Sequence, residues 1–482
     1  MSALWTASEI AAATGGTASG DFTATNVAFD TREVEPGALF IAMKGESTDG
    51  HRFVAQAAEQ GAVGALVSES IDHPHVRVAD TFAALNDLGR ASRARSSARI
   101  CGVTGSVGKT GTKEALFAAL DRAAPGEAHR SVKSYNNHTG VPLSLARMPR
   151  DTRFGVFEMG MNHAGELAAL TRLVRPHVAI VTAIAPAHRA FFNSDEDIAD
   201  AKGEIFQGLE EGGTALIPFD SPHRDRLLAA ARPHAARILT FGLGHGADIR
   251  ARDVVGAPSG GSLVTALLPE AELTFTISQH GEHWVSNAMA VLGAVEAMGG
   301  DLAAAGLALA DMAGLKGRGE RHRIQLDGGE ALLIDESYNA NPASMSATLR
   351  TFGAHKVSGR RIAVLGAMRE LGDTSDAFHA GLAEHVLAAR VDFAILVGEE
   401  MAPLAKALGS SLQMAHVAGA AAATELVTET IRPGDAILVK GSNSIGLAAL
   451  VEALAGGPST TLGTGKSGCF CGLPNSLGSR GC

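Results

Sequence analysis

A glycine loop between a buried strand and a helix constrains the fold of this chain most. The segment Val103-Thr-Gly-Ser-Val-Gly-Lys-Thr110 follows the apolar run Ile100 to Val103 and opens a helical pattern from Thr110 to Leu120. Glycines let backbone N–H groups curl around phosphate oxygens, and the helix N-terminus adds partial positive charge. This order of elements predicts an α/β domain that binds ATP or GTP.

Each position of the loop has an expected role. The backbone of Gly105, Ser106, Val107 and Gly108 is expected to cradle phosphate oxygens, with Lys109 on the β- and γ-phosphates and Thr110 on Mg²⁺. The match is to G-x-x-G-K-T, because Val103 stands where the full signature has a small residue. The alternative is a glycine-rich turn with a surface lysine.

Three later residues are candidates for the same site. Glu158 follows the apolar strand 154–157, and His188 follows another at 178–184, so both are expected at the carboxyl edge of a parallel sheet, where ligands bind. A carboxylate there can hold Mg²⁺. Lys202 lies in a helical stretch, 198–209. Taken singly, each has an ordinary alternative: a solvated glutamate, a structural histidine, a helix-surface lysine.

Strands and helices alternate along most of the 482 residues, which favours α/β domains with mostly parallel sheets. We expect three domains: a small α/β domain at 1–95, a central phosphate-loop domain at 96–315 and a Rossmann-like domain at 316–456. The basic, Ser- and Ala-rich stretch 90–99 is interpreted as the first linker. The Gly-, Ser- and Thr-rich segment 457–482 is expected to be a disordered tail.

Charge and cysteine content narrow the class of protein. The net charge of −10 provides no global basic field for nucleic acid or an anionic membrane. One of four cysteines lies in the first 460 residues, so a disulfide framework is not expected. Cys469 and Cys471 lack the four ligands of a zinc site. Without a signal peptide or an apolar run of membrane-spanning length, a cytoplasmic enzyme is expected.

Several further motifs carry a resemblance to a known family. The chain resembles the Mur ligases, and most closely the member that adds D-alanyl-D-alanine to UDP-N-acetylmuramoyl-tripeptide. The motifs that look specific are Tyr135-Asn-Asn-His-Thr-Gly-Val-Pro-Leu-Ser-Leu145 and Asp335-Glu-Ser-Tyr-Asn-Ala-Asn-Pro342, beside the phosphate loop. The supporting matches are Asp30-Thr-Arg32, Lys44-Gly45, Asp49-Gly-His51, Glu158-Met-Gly-Met-Asn-His163, Ala201-Lys-Gly-Glu-Ile-Phe206, Gly281-Glu-His283, Asn287, Gly317-Arg318 and Lys440-Gly-Ser442.

The resemblance implies an activity and a set of substrates. It implies an ATP-dependent ligase of peptidoglycan synthesis, and so a role in cell shape and cell division. The first domain would bind the UDP end, the middle domain ATP, and the third the incoming dipeptide. The enzyme would act as a monomer, without nucleic acid or membrane insertion, and with two Mg²⁺ ions.

The resemblance also implies roles for individual residues. Lys109, Glu158, His188 and Lys202 would be catalytic, with Thr110, Glu158, His188 and a carbamylated Lys202 near Mg²⁺. Asn287, Arg318 and Asp335 would contact the nucleoside part of ATP. The expected substrate-binding residues are Thr31, Arg32, Lys44, Asn136, Asn137, Tyr338, Asn339 and Asn341.

The chain departs from the family pattern at a few positions. Gly111 stands where Thr or Ser is usual, and is expected to weaken helix initiation. Arg189-Ala190 replaces Leu-Glu after His188. Ala367 replaces an Asp and Asn443 an Arg in the third domain, so both changes bear on dipeptide affinity and leave the ATP site intact.

Two other functions fit parts of the pattern. One is another ligase of the same fold, which adds a single amino acid or adds glutamate to a folate; the motifs 135–137 and 337–341 argue against it. The other is a nucleotide-binding regulatory module without catalysis. The joint presence of Lys109, Glu158, His188 and Lys202 argues against that module.

Overall fold

Three main sheets organise the chain. The computed structural model describes residues 3–45, 48–186, 191–257 and 261–456, and builds sheets of five, nine and six strands. We call the parts built on these sheets the N-terminal, central and C-terminal domains. They confirm the α/β class with mostly parallel sheets, while the exact boundaries expected from sequence stay predictions. The expected disordered tail, 457–482, lies outside the described residues.

The N-terminal domain has a small mixed sheet. Its strands, in spatial order, are Thr17–Ser19, His75–Arg77, Gly64–Val67, Ala38–Ile41 and Asn26–Ala28. Only the first pair is antiparallel. A two-stranded sheet pairs Trp5–Thr6 with Thr23–Ala24. The helices are Ala7–Thr14, Val54–Glu59 and Thr81–Arg95, with 3₁₀ turns at Thr31–Glu33 and Gly50–Phe53.

The basic stretch expected to be a linker is mostly helix. Helix Thr81–Arg95 starts at Asp80, whose side chain accepts hydrogen bonds from two backbone N–H groups, and it buries Leu85 and Leu88. Arg93 is also buried, and its guanidinium donates to the carbonyls of Val174 and Arg175. The prediction failed because the arginine is satisfied by a segment 81 residues away, which composition does not reveal.

The central sheet is parallel over most of its width. Its order is Glu272–Ile277, Ser262–Leu267, Ile249–Gly256, Arg237–Gly242, Thr214–Pro218, Val178–Val181, Arg99–Thr104, Phe154–Glu158 and Ala128–Arg130. The first two strands are antiparallel additions. Cys101 and Val103 enter one hydrophobic cluster and Ile100 enters the other, so the sheet is covered on both faces.

Helices cover both faces of this sheet. They are Lys109–Ala123, Gly140–Ala146, Glu166–Val174, Asp195–Gly203, Arg224–Ala231, Glu282–Ala297 and Leu302–Asp311, with a 3₁₀ turn at Glu204–Gly208. Helices Lys109–Ala123 and Glu282–Ala297 contribute to the same cluster, through Leu116, Leu120, Met289 and Leu292. This packing sets Glu282–Ala297 beside the helix that follows the phosphate loop.

The C-terminal sheet has one antiparallel edge strand and five parallel strands. Its order is Glu320–Leu326, Gly329–Glu336, Ala436–Lys440, Arg361–Gly366, Phe393–Val397 and Gln413–Val417. The helices are Pro342–Ala354, Ser375–Ala388, Ala402–Leu408, Ala420–Thr430 and Leu447–Ala455, with 3₁₀ turns at Gly372–Thr374, Glu399–Met401 and Asn443–Ile445. Within the four described ranges, no helix combines the length and apolar character that crossing a bilayer requires.

Candidate active site

The phosphate loop lies at the carboxyl edge of the central sheet. Strand Arg99–Thr104 leads into Gly105, and helix Lys109–Ala123 follows Gly108. Gly105 and Gly108 have φ of +150° and +85°, a region that side chains with a Cβ rarely adopt. A Cβ on Gly105 would also lie 1.9 Å from the Oγ1 of Thr182. Backbone geometry therefore requires glycine at both positions.

Ser106 and Lys109 offer polar atoms to a ligand in this loop. The Lys109 Nζ donates to the Gly105 carbonyl at 2.6 Å. Burial lowers the pKa of Lys109, and the charge of Glu158 opposes that effect. The Ser106 Oγ is buried and has no hydrogen-bond partner among the described residues. An unpaired buried hydroxyl is costly, and a phosphate oxygen at the loop would satisfy it.

A row of hydrogen bonds crosses from the loop to the neighbouring strand. Thr110 Oγ1 donates to one carboxylate oxygen of Glu158 at 2.9 Å, and Asn136 Nδ2 donates to the other at 2.7 Å. Glu158 is 1% exposed and pairs in register with Val103, on the strand before the loop. The row brings hydroxyl and carboxylate oxygens together, and these are the ligands that Mg²⁺ prefers.

Sequence reasoning missed a buried lysine beneath this row. Lys113, which is 0% exposed, lies 3.9 Å from Glu158 and donates to the carbonyls of Ser131 and Lys133 at 2.9 and 2.6 Å. It therefore anchors the loop that carries Asn136. A lysine one helical turn after Lys109 looks like a solvated one in sequence, and only the packing shows its burial.

Lys202 lies inside the central domain. Helix Asp195–Gly203 carries it, and it is 1% exposed. Burial, with the charge of Lys109, lowers its pKa well below the ordinary value. Both effects disfavour the charged ammonium form of this side chain. His188 lies outside the described residues.

The residues expected to contact the nucleoside border the same space. The amide oxygen of Asn287 lies 3.1 Å from the position a Cβ would take on Gly108. The Arg318 guanidinium stacks over Tyr338 at 4.1 Å and reaches Ser134 Oγ at 3.4 Å. Asp335 accepts hydrogen bonds from the N–H groups of Gly317 and Ser337, and so shapes the turn that presents Arg318.

Asn287, Arg318 and Tyr338 line a cavity of about 690 Å³ between the central and C-terminal domains, whereas Asp335 and Lys202 do not belong to its lining. Its lining includes the predicted residues Ser106, Val107, Gly108, Lys109, Thr110, Asn136, Glu158, Asn287, Arg318, Tyr338, Asn339 and Asn341. Lys440 and Glu336, which sequence reasoning did not single out as site residues, also line it and form an ion pair at 3.5 Å. Lys440 is 3% exposed, and burial lowers its pKa.

Three of the predicted substrate-binding asparagines have local structural partners. Asn137 Oδ1 accepts from the Gly140 N–H at the start of helix Gly140–Ala146. Asn341 caps helix Pro342–Ala354, with its Oδ1 accepting from Ser344 N–H at 2.9 Å. Asn339 Oδ1 accepts from the next backbone N–H, of Ala340. Their side chains position the surrounding backbone, which explains the motifs without requiring substrate contact by each amide.

The predicted UDP-binding residues lie in the N-terminal domain, apart from the cavity lining. Thr31 and Arg32 belong to the 3₁₀ turn Thr31–Glu33, which Asp30 caps. The Arg32 side chain is 87% exposed and pairs with Asp30 at 2.5 Å. Lys44 is exposed, and its backbone forms a bridge with Asp49. The turn therefore presents an exposed guanidinium, as binding of an anionic ligand would need.

The structure gives a physical reason for one departure from the family pattern. The helix begins at Lys109 despite Gly111 in its first turn. A Cβ on Gly111 would lie 2.9 Å from the ring of Trp284, which lines the cavity. Glycine at 111 therefore makes room for this indole. Arg189 and Ala190 lie outside the described residues.

The other two departures lie in the C-terminal domain. Ala367 is fully buried, and its N–H and carbonyl bond the backbones of Val397 and Ser442. Asn443 starts a 3₁₀ turn and lines the large cavity. Asn443 therefore faces the space assigned to the substrates, whereas Ala367 supports the backbone of its wall.

Comparison with known families covers most of the chain. Residues 23–91 match the model for the Mur ligase family, catalytic domain, 103–295 the Mur ligase middle domain, and 317–443 the Mur ligase, glutamate ligase domain. Two similar proteins are the UDP-N-acetylmuramoyl-tripeptide–D-alanyl-D-alanine ligases of Bacillus subtilis (strain 168) and Escherichia coli (strain K12). They are 35% and 34% identical, over 90% of this chain and 93% and 94% of their own lengths.

Solved structures show the same architecture. MurF from Acinetobacter baumannii superposes with a TM-score of 0.80 at 30% identity, covering 94% of this chain and 99% of that one. MurF from Thermotoga maritima, solved in complex with ADP, gives a TM-score of 0.73 at 24% identity, with 89% and 97% covered. The second likeness supports the fold.

Proposed function

This chain belongs to the Mur ligase family, and from this premise we propose that it joins D-alanyl-D-alanine to UDP-N-acetylmuramoyl-tripeptide while cleaving ATP to ADP and phosphate. The match to the two relatives covers more than nine-tenths of their lengths. Their names support this choice of substrates. The product, UDP-N-acetylmuramoyl-pentapeptide, serves peptidoglycan synthesis and thereby cell shape and division. We expect a cytoplasmic monomer.

The hydrogen-bonded row of Thr110, Glu158 and Asn136 is the observation that carries the proposal. It joins the phosphate loop to the loop containing the family motif that begins at Tyr135. A binding module needs only the phosphate loop. Phosphoryl transfer also needs positive charge, because its transition state spreads negative charge over the equatorial oxygens. The hydroxyl and carboxylate oxygens beside the loop can bind the Mg²⁺ that supplies this charge.

The reaction proceeds in two steps. A terminal carboxylate oxygen of the tripeptide attacks the γ-phosphorus of ATP, the bond to ADP breaks, and an acyl phosphate forms. The dipeptide amine then attacks the acyl carbon, the carbon–oxygen bond to phosphate breaks, and the amine loses a proton. Lys109 and the loop N–H groups stabilise the charge that develops in the first step. Closure of the C-terminal domain over the cavity excludes water from the acyl phosphate.

The donor atoms around Glu158 fit Mg²⁺. Thr110 and Glu158 would hold one ion, which supplies positive charge to the phosphate oxygens when bound. His188 and Lys202 would serve a second. Burial disfavours the ammonium form of Lys202 and lowers its pKa, and the neutral amine is the form that would add to CO₂, with loss of a proton, to give a carbamate. The carbamate would carry a negative charge, with which the Lys202 side chain could help to hold the second ion.

The remaining assignments follow the three domains. Thr31, Arg32 and Lys44 would bind the UDP-sugar. Asn287, Arg318 and Asp335 would hold the nucleoside of ATP, the last through the turn it shapes. Asn136, Tyr338 and the backbone set by Asn137, Asn339 and Asn341 would face the peptide substrates.

The test is phosphate release from ATP with UDP-N-acetylmuramoyl-tripeptide, with and without D-alanyl-D-alanine. We expect release that depends on both, and a product heavier by the dipeptide in mass spectrometry. A panel of single amino acids and folates as alternative substrates examines the other ligases of this fold. Turnover with one of those, and none with the dipeptide, would reject these substrates; background release throughout would indicate a non-catalytic module.

A further inference from the structure

The carboxylate of Glu33 joins the N-terminal domain to the central domain. Glu33 ends the turn Thr31–Glu33, and its side chain is 15% exposed. Its oxygens accept from Tyr135 Oη at 2.6 Å and Arg147 Nη2 at 3.0 Å, and from Lys133 Nζ. All three donors belong to the central domain. Burial raises the pKa of Glu33, but these three hydrogen bonds outweigh it and leave the pKa below the ordinary value.

Two of these donors lie in the loop 131–137, which we call the bridging loop. Lys133 has φ of +54°, an uncommon conformation for a residue with a side chain, which persists only when its surroundings hold it. Lys113 holds its carbonyl from one side, and Glu33 binds its ammonium from the other. The Tyr135 ring also packs on Phe29, with centroids 5.8 Å apart.

The other end of the bridging loop reaches the phosphate site. Asn136 donates to Glu158, as described above, and Ser134 Oγ lies 3.4 Å from both Thr110 Oγ1 and Arg318 Nη2. A continuous series of contacts therefore runs from the turn with Arg32, through Glu33 and the bridging loop, to Glu158 and Thr110. Its links are hydrogen bonds, ion pairs and the covalent backbone of the turn and of the bridging loop.

We propose that Glu33 is a positioning residue that couples binding of the UDP-sugar to assembly of the nucleotide-phosphate site. The inference rests on the proposed function, because it takes the turn Thr31–Glu33 as the UDP-sugar site. A ligand on Arg32 immobilises the turn, and Glu33 transmits that order to the bridging loop. The loop then holds Asn136 against Glu158. Linkage requires nucleotide to tighten UDP-sugar binding by the same factor.

An ion pair that serves stability alone gives a different result. Glu9 and Arg150 supply the comparison, because they cross the same domain boundary at 2.5 Å and neither belongs to the bridging loop. Loss of either carboxylate weakens the boundary. Only loss of Glu33 changes how one ligand affects the affinity for the other.

The experiment measures the dissociation constant of Mg-ADP by calorimetry, without and with saturating UDP-N-acetylmuramoyl-tripeptide. In the wild type we expect the UDP compound to tighten ADP binding by about fivefold or more, within the usual range of such coupling. In Glu33→Gln the ratio should fall to about 1, while ADP affinity alone stays within about twofold. Glu9→Gln should keep the wild-type ratio. Tyr135→Phe, which removes one donor, should lower the ratio and replaces Glu33→Gln if that variant fails to fold.

Two results would overturn the inference: a wild-type ratio of 1, or a wild-type ratio retained in the variant. The ligation assay is run on the same wild-type preparation, so the two proposals can fail separately. Ligation together with coupling that survives in Glu33→Gln rejects only the positioning role. Coupling that depends on Glu33, in a wild type that forms no pentapeptide, rejects only the proposed reaction.

Discussion

The central domain meets its two neighbours in different ways. Toward the N-terminal domain, partly or fully buried groups bond directly: Glu33 with three donors, Trp5 Nε1 with the Ala146 carbonyl at 2.9 Å, and Arg147 Nε with the Val27 carbonyl. Toward the C-terminal domain there are cavities of about 690 and 350 Å³, and the Arg318 bond to Ser134 is 3.4 Å long.

The difference indicates that the two boundaries have different roles in an enzyme with three substrates. Direct hydrogen bonds and ion pairs connect the N-terminal domain to the central domain, so a change in the UDP-sugar turn can reach the oxygens of Glu158 and Thr110. At the boundary with the C-terminal domain, a cavity leaves room for ligands between the two domains. We expect substitutions at the first boundary to change stability and coupling, and those at the second to change nucleotide affinity and turnover.

The largest effect on activity is expected at the phosphate loop, which lies between the two boundaries. Lys109→Ala removes the side-chain charge on the phosphates, and should lower kcat by at least about 10³-fold. Phosphate release measures this loss. Lys406→Ala, an exposed lysine on the C-terminal domain, is the control and should be active. Undiminished release by Lys109→Ala would reject the site assignment.

A smaller effect, on the KM for ATP, is expected at the boundary with the C-terminal domain. Arg318→Ala removes a guanidinium that spans it and stacks on Tyr338. We expect the KM for ATP to rise about 10- to 100-fold, because hydrogen bonds to charged groups contribute about 1.5–3 kcal/mol. The midpoint of urea unfolding should stay unchanged. Arg323→Ala, on an 80% exposed side chain, is the control; equal KM values in the two variants would contradict this role.

At the boundary with the N-terminal domain, a substitution should change stability rather than nucleotide affinity. Arg147→Ala leaves Glu33 with two donors in place of three and unties Val27, and should lower the free energy of unfolding by about 1–3 kcal/mol. Arg122→Ala breaks an exposed ion pair with Asp311 within the central domain and should cost under about 0.5 kcal/mol. If Arg147→Ala is as stable as its control, the bonds of Arg147 to Glu33 and Val27 do not stabilise the protein.

Gly111→Thr examines packing beside the cavity. The new side chain would overlap the Trp284 ring, and overpacking of this kind costs about 1–3 kcal/mol. Trp284→Ala is itself destabilising because the indole is buried, but in that background Gly111→Thr should cost less than in the wild type, since the clash is absent. Urea unfolding of the two single variants and the double variant gives the interaction energy. Strictly additive effects would show that the two positions are independent.

The smallest effect is expected from removing residues 457–482. Their composition lacks apolar periodicity, so truncation after Gly456 should change the melting temperature by less than about 1 °C, which corresponds to about 1 kcal/mol or less in a chain of this size. Differential scanning fluorimetry measures it. A clear drop would show that the tail contributes to the stability of the fold.

Much of the nucleotide half could be predicted from contiguous residues. The loop 105–110, its preceding strand and its following helix all lie within residues 99–123, and glycine φ angles and helix termini depend on near neighbours. Glu158 could be placed at the same edge because parallel strands share their carboxyl ends. In the N-terminal domain, the strands Ala38–Ile41 and Gly64–Val67 are short apolar runs, a pattern typical of buried strands.

By itself, then, the sequence determined the class of fold, the phosphate loop and the order of the domains, since each is a periodic or contiguous pattern. The tertiary structure decided which polar side chains become buried partners. Glu33 and Tyr135 are 102 residues apart, and Trp284 lies against Gly111 across two helices. Lys113 gave no sign of burial in sequence. Such pairs depend on how distant elements pack, and burial then makes a direct partner obligatory.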